Sequence, residues 1–231
     1  MAVPETRPVA RNVWERGGIV TDAPAPILVI NPNSSPSITE QIAEAVGADD
    51  VRVVRSSDGP PAIETDEDVV AAVGPMIETA AAFDAAAVVA CFSDPGLTEL
   101  RDSSPVPAFG IAESALRRAL ELGDRVGVIS SVNDSLPRHA RHWRRLGLGD
   151  RVVADIPLGL GVLELNTGSA YRRAEAAGRQ LLAGGADVIV LGCTGMTHMR
   201  ARLGRSLRVP VVDPCRAAVD AARTAVRKPA S

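Results

Sequence analysis

Two matched apolar runs, Ala87-Val88-Val89-Ala90-Cys91 and Val188-Ile189-Val190-Leu191-Gly192-Cys193, each end in a thiol and then turn. Each run reads as a buried strand that delivers a cysteine to the start of a loop or helix. A thiol beside a helix N-terminus has a lowered pKa, so a thiolate is expected near neutrality. One thiolate can take a proton from a carbon acid while a thiol on the opposite face supplies one. That is a two-base arrangement for inverting a stereocentre, with the roles exchanging according to substrate handedness. A cysteine taken alone is more often a small buried hydrophobe. The matched placement of Cys91 and Cys193 is what points to chemistry. Cys215, which has no counterpart in the other half of the chain, reads as structural.

Short polar loops accompany the thiols. Asn31, Asn33, Ser34, Ser93, Ser130, Ser131 and Thr194 carry neutral groups that can bind carbonyl or imide groups and, with backbone N–H groups, hold an enolate. Phe92 and Gly195, next to the thiols, complete the expected substrate-binding set. Capping and turn formation explain any one of these polar residues equally well. Asp94-Pro95-Gly96 reads as a helix start capped by Asp94. Glu113 either lines the site or sits as a first-turn acid. The run Arg138-His139-Ala140-Arg141-His142-Trp143-Arg144-Arg145 reads as a solvated basic helix face, and His198 is a lone histidine nearer the site. There is no Walker loop, no dinucleotide glycine fingerprint and no pair of cysteines with zinc-ligand spacing, so neither a cofactor nor a metal is expected.

The elements that must hold these residues alternate. Ile27-Leu28-Val29-Ile30 is a continuous apolar strand of the kind found in parallel sheets. A polar loop and a helix follow, the helix opened by a Ser37/Glu40 capping box and closed by Gly47. A second strand, a Gly-Pro-Pro turn and a helix from Thr65 come next, and Pro75 is expected to kink or split that helix. The strand leading to Cys91, a strand at 106–110 and a helix at 113–122 complete the first half. The pattern then begins again with strands at 125–129, 151–156, 187–191 and 209–212 and helices at 136–146, 170–183 and 214–227.

Strand–helix alternation implies parallel α/β sheets. Cys91 and Cys193 are 102 residues apart, the Val-Pro pairs at 106 and 209 are 103 apart, and the strand ends Ile30 and Ile129 are 99 apart. One offset shared by three landmarks predicts two pseudo-symmetric lobes of similar topology. Ligands of open parallel sheets sit beyond the carboxyl ends of the strands, so the site is expected in the cleft between the lobes. The expected division is a flexible extension over 1–25, a first lobe of 26–112 plus 213–231, and a second lobe of 113–212.

The chain has 231 residues, enough for a core that needs no staples, and its 46% hydrophobic and 23% charged content is ordinary for a soluble globular protein. A formal charge of −3 and only 3% aromatic residues give no sign of nucleic-acid binding. No apolar run approaches the ~20 residues of a membrane span. The N-terminus has no apolar h-region, and three cysteines do not make a disulfide framework, so a cytoplasmic location is expected.

Four blocks, Ile30-Asn31-Pro32-Asn33-Ser34-Ser35, Ala90-Cys91-Phe92-Ser93-Asp94-Pro95-Gly96-Leu97, Gly110-Ile111-Ala112-Glu113 and Leu191-Gly192-Cys193-Thr194-Gly195-Met196, resemble the hydantoin and allantoin racemases of the wider aspartate/glutamate racemase superfamily. The resemblance covers roughly residues 27 to 225. It implies two Rossmann-like lobes, with the C-terminal helix returning to the first. It also implies cofactor-independent racemisation by two cysteines at Cys91 and Cys193, and a homo-oligomer. Ser93 stands where that branch often has Asp or Gly, Thr194 where it often has Ala, and Ser130-Ser131 in place of a Thr-Thr pair. The substrate read from this is a 5-substituted hydantoin, allantoin or similar cyclic ureide. An amino-acid racemase, a maleate isomerase with a nucleophilic thiolate, and a non-catalytic small-molecule binder are the alternatives.

Overall fold

The structure is a computed structural model that describes residues 27–47 and 49–227. The expected extension over 1–25 lies outside the described residues. The first half runs β1 (Ile27–Asn31), α1 (Pro36–Val46), β2 (Val51–Arg55), α2 (Asp66–Ala81), β3 (Ala86–Val89), α3 (Leu97–Ser103), β4 (Ala108–Gly110) and α4 (Ile111–Leu120). The second runs β5 (Val126–Ser130), α5 (Leu136–Arg145), β6 (Val152–Pro157), α6 (Gly168–Ala183), β7 (Val188–Leu191), α7 (Arg200–Leu207), β8 (Val211–Val212) and α8 (Pro214–Arg227).

These strands form two four-stranded parallel sheets of the same topology, β2-β1-β3-β4 and β6-β5-β7-β8. The protein is therefore α/β with two pseudo-symmetric, Rossmann-like lobes. Ile30 pairs with Val54 and Val89, and Ile129 pairs with Ile156 and Leu191, so the two strand ends matched in the sequence hold the same place in their sheets.

Both faces of each sheet are covered, which is why the strands read as continuous apolar runs rather than alternating ones. Ile27 and Val29 point to one face of the first sheet and join Val126, Val128, Val188 and Val190 of the second in one core. That core is completed by α1, α4 and α8 through Ile42, Ala115, Leu116, Ala218 and Val219. Leu28 and Ile30 point the other way, onto Met76, Leu97 and Leu100. Ile129, Ile189 and Leu191 do the same in the second sheet, against Leu181, Met199 and Leu203 of the outer helices. The last helix, α8, packs on α4 and α1 and against β1, β3 and β4 of the first sheet.

Two local expectations change. The cap of α1 is Ser35, whose Oγ accepts from the Ile38 N–H at 3.4 Å, while Ser37 lies inside the helix behind Pro36. Proline at the first helical position costs no intrahelical hydrogen bond, and this moves the start two residues upstream of the Ser37/Glu40 pattern. Pro75 does not split α2, which runs unbroken past it. Ala72, Met76 and Ala80 lie one turn apart on a buried face, and this packing holds the helix through the missing N–H. Thr65 caps α2 and forms a capping box with Asp68, which the sequence reading, a helix opening at Thr65, did not specify.

Candidate active site

The two thiols leave their sheets by the same turn. Beyond β3 the Ala90 N–H donates to the Ile30 carbonyl at 2.8 Å, and the Asp94 N–H closes a turn on the Cys91 carbonyl at 2.9 Å. Beyond β7 the Gly192 N–H donates to the Ile129 carbonyl at 2.7 Å, and the Met196 N–H closes on the Cys193 carbonyl at 3.1 Å. Gly192 is required there, since a Cβ would lie 2.8 Å from the Ile129 carbonyl oxygen and from Ser130 Oγ.

Cys91 and Cys193 line one cavity, with an open volume of about 470 Å³ counted to its mouth. Cys193 is buried and Cys91 partly exposed. Of the residues read from the sequence, Asn33, Phe92, Ser93, Ser131 and Thr194 are also in its walls. The walls also include Ile63, Val132, Ser135, Arg138, His139 and Val162, none of which the sequence reading places at the site.

Four expected contacts are not part of those walls. Asn31 is fully buried and braces its own loop, donating to Asn33 Oδ1 at 2.8 Å and Thr39 Oγ1 at 3.0 Å. Ser34 binds the Pro60 carbonyl through its N–H at 2.9 Å and its hydroxyl at 3.4 Å. Ser130 is fully buried and donates to Asp155 Oδ1 at 2.5 Å. Gly195 lies behind the cavity, packed under Leu165, and its backbone N–H acts on Cys193. Glu113 is held between Arg101 at 3.1 Å and Arg117 at 2.9 Å, and His198 is exposed and not among the cavity walls. Cys215 is sealed in the core at 0% exposure.

The thiolate expected near neutrality is corrected by the desolvation of both thiols, Cys91 included although its residue is partly exposed. Desolvation pushes Cys91 up to about 11 and Cys193 above its ordinary value, outweighing the hydrogen bonds that favour the thiolate. Those bonds are again paired: the Ser93 N–H acts on Cys91 and the Gly195 N–H on Cys193, each two residues on. Ser131 and Thr194 hydroxyls also favour the Cys193 thiolate, and the Arg138 charge favours that of Cys91.

The basic run on α5 is solvated on one side only, which carries Arg141, Arg144 and Arg145. Arg138, His139, His142 and Trp143 are buried, and each of the three polar ones reaches a partner far away in sequence. Arg138 donates through Nε to Ser93 Oγ at 2.8 Å, through Nη1 to Asp66 at 2.7 Å and through Nη2 to the Glu64 carbonyl at 3.4 Å. Arg141 adds a second bond to Asp66 at 2.8 Å, and Glu64 Oε1 accepts from the Val162 N–H at 3.0 Å. These bonds tie the segment before α2 to α5 and to the loop after β6, across the cavity. His139 Nδ1 lies 2.9 Å from Asp155, and His142 Nε2 lies 3.0 Å from Asp94.

Asp94 caps α4 rather than α3. Its carboxylate accepts from the Ala112 and Glu113 N–H groups at 3.0 and 2.9 Å, and α3 begins without a side-chain cap behind left-handed Gly96. Gly110 leaves the space that carboxylate fills, because a Cβ there would overlap it.

Two parallel α/β lobes of equal topology, each delivering a thiol to one shared cavity, place the protein among bilobal racemase-type folds. The profile described as "Asp/Glu/Hydantoin racemase" matches residues 27–222. The hydantoin racemase of Paenarthrobacter aurescens is 32% identical over 217 residues, which is 87% of this chain and 90% of that one. The allantoin racemase of Klebsiella pneumoniae superposes with a TM-score of 0.81 at 32% identity, over 87% of this chain and 86% of that one. The allantoin racemase of Pseudomonas fluorescens gives 0.80 at 29%, over 87% and 90%. A glutamate racemase of Bacillus anthracis, 18% identical with a TM-score of 0.65, shares the fold. The chain belongs to the Asp/Glu/hydantoin racemase family, and it is an isomerase of the racemase class. No helix among the described residues is long and apolar enough to cross a membrane.

Proposed function

We propose that the protein inverts the α-carbon of a 5-substituted hydantoin, allantoin or similar cyclic ureide by direct proton transfer with Cys91 and Cys193, without a cofactor. The observation that carries this reading is that both thiols leave equivalent strand exits of two lobes and face one cavity. The relatives named above, which act on hydantoins and allantoin, support the substrate class.

The ring carbonyl next to the α-carbon acidifies its hydrogen. The thiolate of one cysteine takes that proton, becoming a thiol, and the C–H electron pair moves into the ring as an enolate. The opposite thiol then gives its proton to the other face of the carbon and becomes the thiolate. The product enantiomer runs the same path backwards, so the two cysteines exchange roles. Burial makes each thiolate scarce at neutral pH but more basic, which narrows the gap to the carbon acid. The Ser93 hydroxyl and the Asn33 amide N–H groups are donors within reach of the cavity for the enolate oxygen. Arg138 lines the cavity, but each of its nitrogens is engaged by Ser93, Asp66 or Glu64, so its charge is not held free for a substrate carboxylate.

Separate enantiomers of 5-benzylhydantoin and of allantoin, incubated with the protein and a chelator, test the substrate class by polarimetry. The expected result is decay of rotation to zero from either enantiomer. Rotation that falls no faster than the spontaneous rate for every ring tested, or turnover of maleate to fumarate alone, contradicts the reading.

A further inference from the structure

His139 has one committed nitrogen and one open one. Nδ1 lies 2.9 Å from Asp155 Oδ2, and Ser130 Oγ donates to the other oxygen of the same carboxylate at 2.5 Å. A carboxylate only accepts, so Nδ1 carries the proton of this pair, and in that tautomer Nε2 carries a lone pair. The ring is fixed in place. Phe92 stands edge-on at 5.2 Å, Trp143 lies at 5.8 Å, and the side chain is 3% exposed.

His139 is one of the cavity walls. Among the described residues no group bonds Nε2, and Nε2 is not among the sealed polar atoms without a partner, which are Trp143 Nε1 and Asp213 Oδ2. Nε2 is thus the ring nitrogen left unengaged on a residue that lines the cavity. Most of the other polar walls are donors or are occupied. Asn33 Oδ1 already accepts from Asn31 and from the Ser35 N–H, which leaves the amide N–H groups. Ser93 Oγ accepts from Arg138 and keeps its O–H to give, while Ser135, its proton given to the Val132 carbonyl, offers only the weaker lone pairs of a hydroxyl. Ser131 and Thr194 are turned to Cys193. A ring that carries both C=O and N–H groups needs an acceptor as well as donors, and a buried acceptor left without its N–H discriminates strongly.

We propose that His139 is a specificity-determining residue whose Nε2 accepts a ring N–H of a cyclic imide or ureide, with Asp155 and Ser130 as the positioning residues that fix its tautomer. This rests on the ureide reading given above, and it adds the group that tells such a ring from a carbon acid without an N–H.

The test uses 5,5-dimethylhydantoin and its N1-methyl and N3-methyl derivatives, which have no α-hydrogen, so binding is read by calorimetry without turnover. The wild-type protein is expected to bind one of the two N-methyl rings about 10-fold more weakly than the parent, the cost of one lost hydrogen bond with its acceptor left bare. His139→Leu is expected to bind the parent ring about 10-fold more weakly and to lose the distinction between the three, and His139→Gln to recover part of both. Equal binding of all three rings by the wild-type protein overturns the proposal without recourse to any variant. So does a His139→Leu protein that keeps the distinction. N–H-dependent binding without racemisation of any hydantoin leaves this proposal standing and removes the racemisation reading alone. A wild-type protein that binds none of the three removes the ureide reading and this proposal with it.

Discussion

Arg138 Nε donates to Ser93 Oγ at 2.8 Å, which places an arginine of the second half of the chain on the hydroxyl two residues beyond the first thiol. The side chain is 8% exposed, and its Nη1 holds Asp66, which is 57% exposed. One residue thus sets the orientation of Ser93, supplies the charge that favours the Cys91 thiolate, and joins the segments on either side of the site.

Replacing Arg138 by Met removes three bonds and that charge. Loss of a charge-assisted buried bond is expected to cost about 1.5–3 kcal/mol of stability, read as a lower urea midpoint. Without the guanidinium the Cys91 pKa rises further, so the rising limb of the kcat/KM profile is expected to move to higher pH. Arg138→Lys keeps the charge but not the planar fork, and is expected to restore the limb more than the stability. An unmoved limb in Arg138→Met contradicts a role for this charge at Cys91.

The thiols themselves give a pH window. Folding raises Cys91 from 9.0 to about 11, so the native state holds a proton there that the unfolded chain has released. The contribution is fully present below pH 9.0 and is lost as pH rises through about 11, and Cys193 acts in the same direction. Thiolate absorbance at 240 nm is expected to titrate well above the free-thiol value in native protein and to fall to it in urea. A native transition below 9.0 contradicts the desolvated cavity.

Asp94 couples stability to the site from behind. Asp94→Ala strips the cap from α4 and leaves the buried His142 Nε2 without its partner, an expected loss of about 2–4 kcal/mol in chemical denaturation. Gly110→Ala drives a methyl into the same carboxylate and is expected to be similarly damaging, whereas Gly74→Ala, open within 4 Å, is expected to leave stability unchanged or higher.

The strands, their parallel pairing and the two thiols were legible because a strand covered on both faces writes itself as an apolar run, and a duplicated lobe repeats it at a fixed offset. Asn33, Ser93, Ser131 and Thr194 were legible by adjacency to those strand exits. Asn31, Ser34 and Ser130 share that adjacency but turn inward to Thr39, Pro60 and Asp155, a choice made by loop packing rather than by residue type. The buried side of α5 is not legible in its charge pattern, because its polar groups find the carboxylates of Asp66, Asp94 and Asp155 and the hydroxyl of Ser93, 16 to 72 positions away. A signal was present. Ser135, Arg138, His139, His142 and Trp143 follow the spacing of one helix face, and Trp143 marks that face as inward. Sequence adjacency points Asp94 to the helix beside it, and the fold gives it to α4, whose Ala112 N–H lies 18 residues downstream.

The central claim is that Cys91 and Cys193 are one acid–base pair serving opposite faces of a single carbon. It is tested most directly by deuterium incorporation at the α-carbon of each separate hydantoin enantiomer in D₂O, followed by NMR for the wild-type protein and for Cys91→Ser and Cys193→Ser. The account predicts exchange with inversion of both enantiomers by the wild-type protein and no inversion by either variant, with each variant able to exchange the proton of at most one enantiomer, and a different one for each. Full racemisation by either single variant, or exchange of the same enantiomer by both, contradicts it.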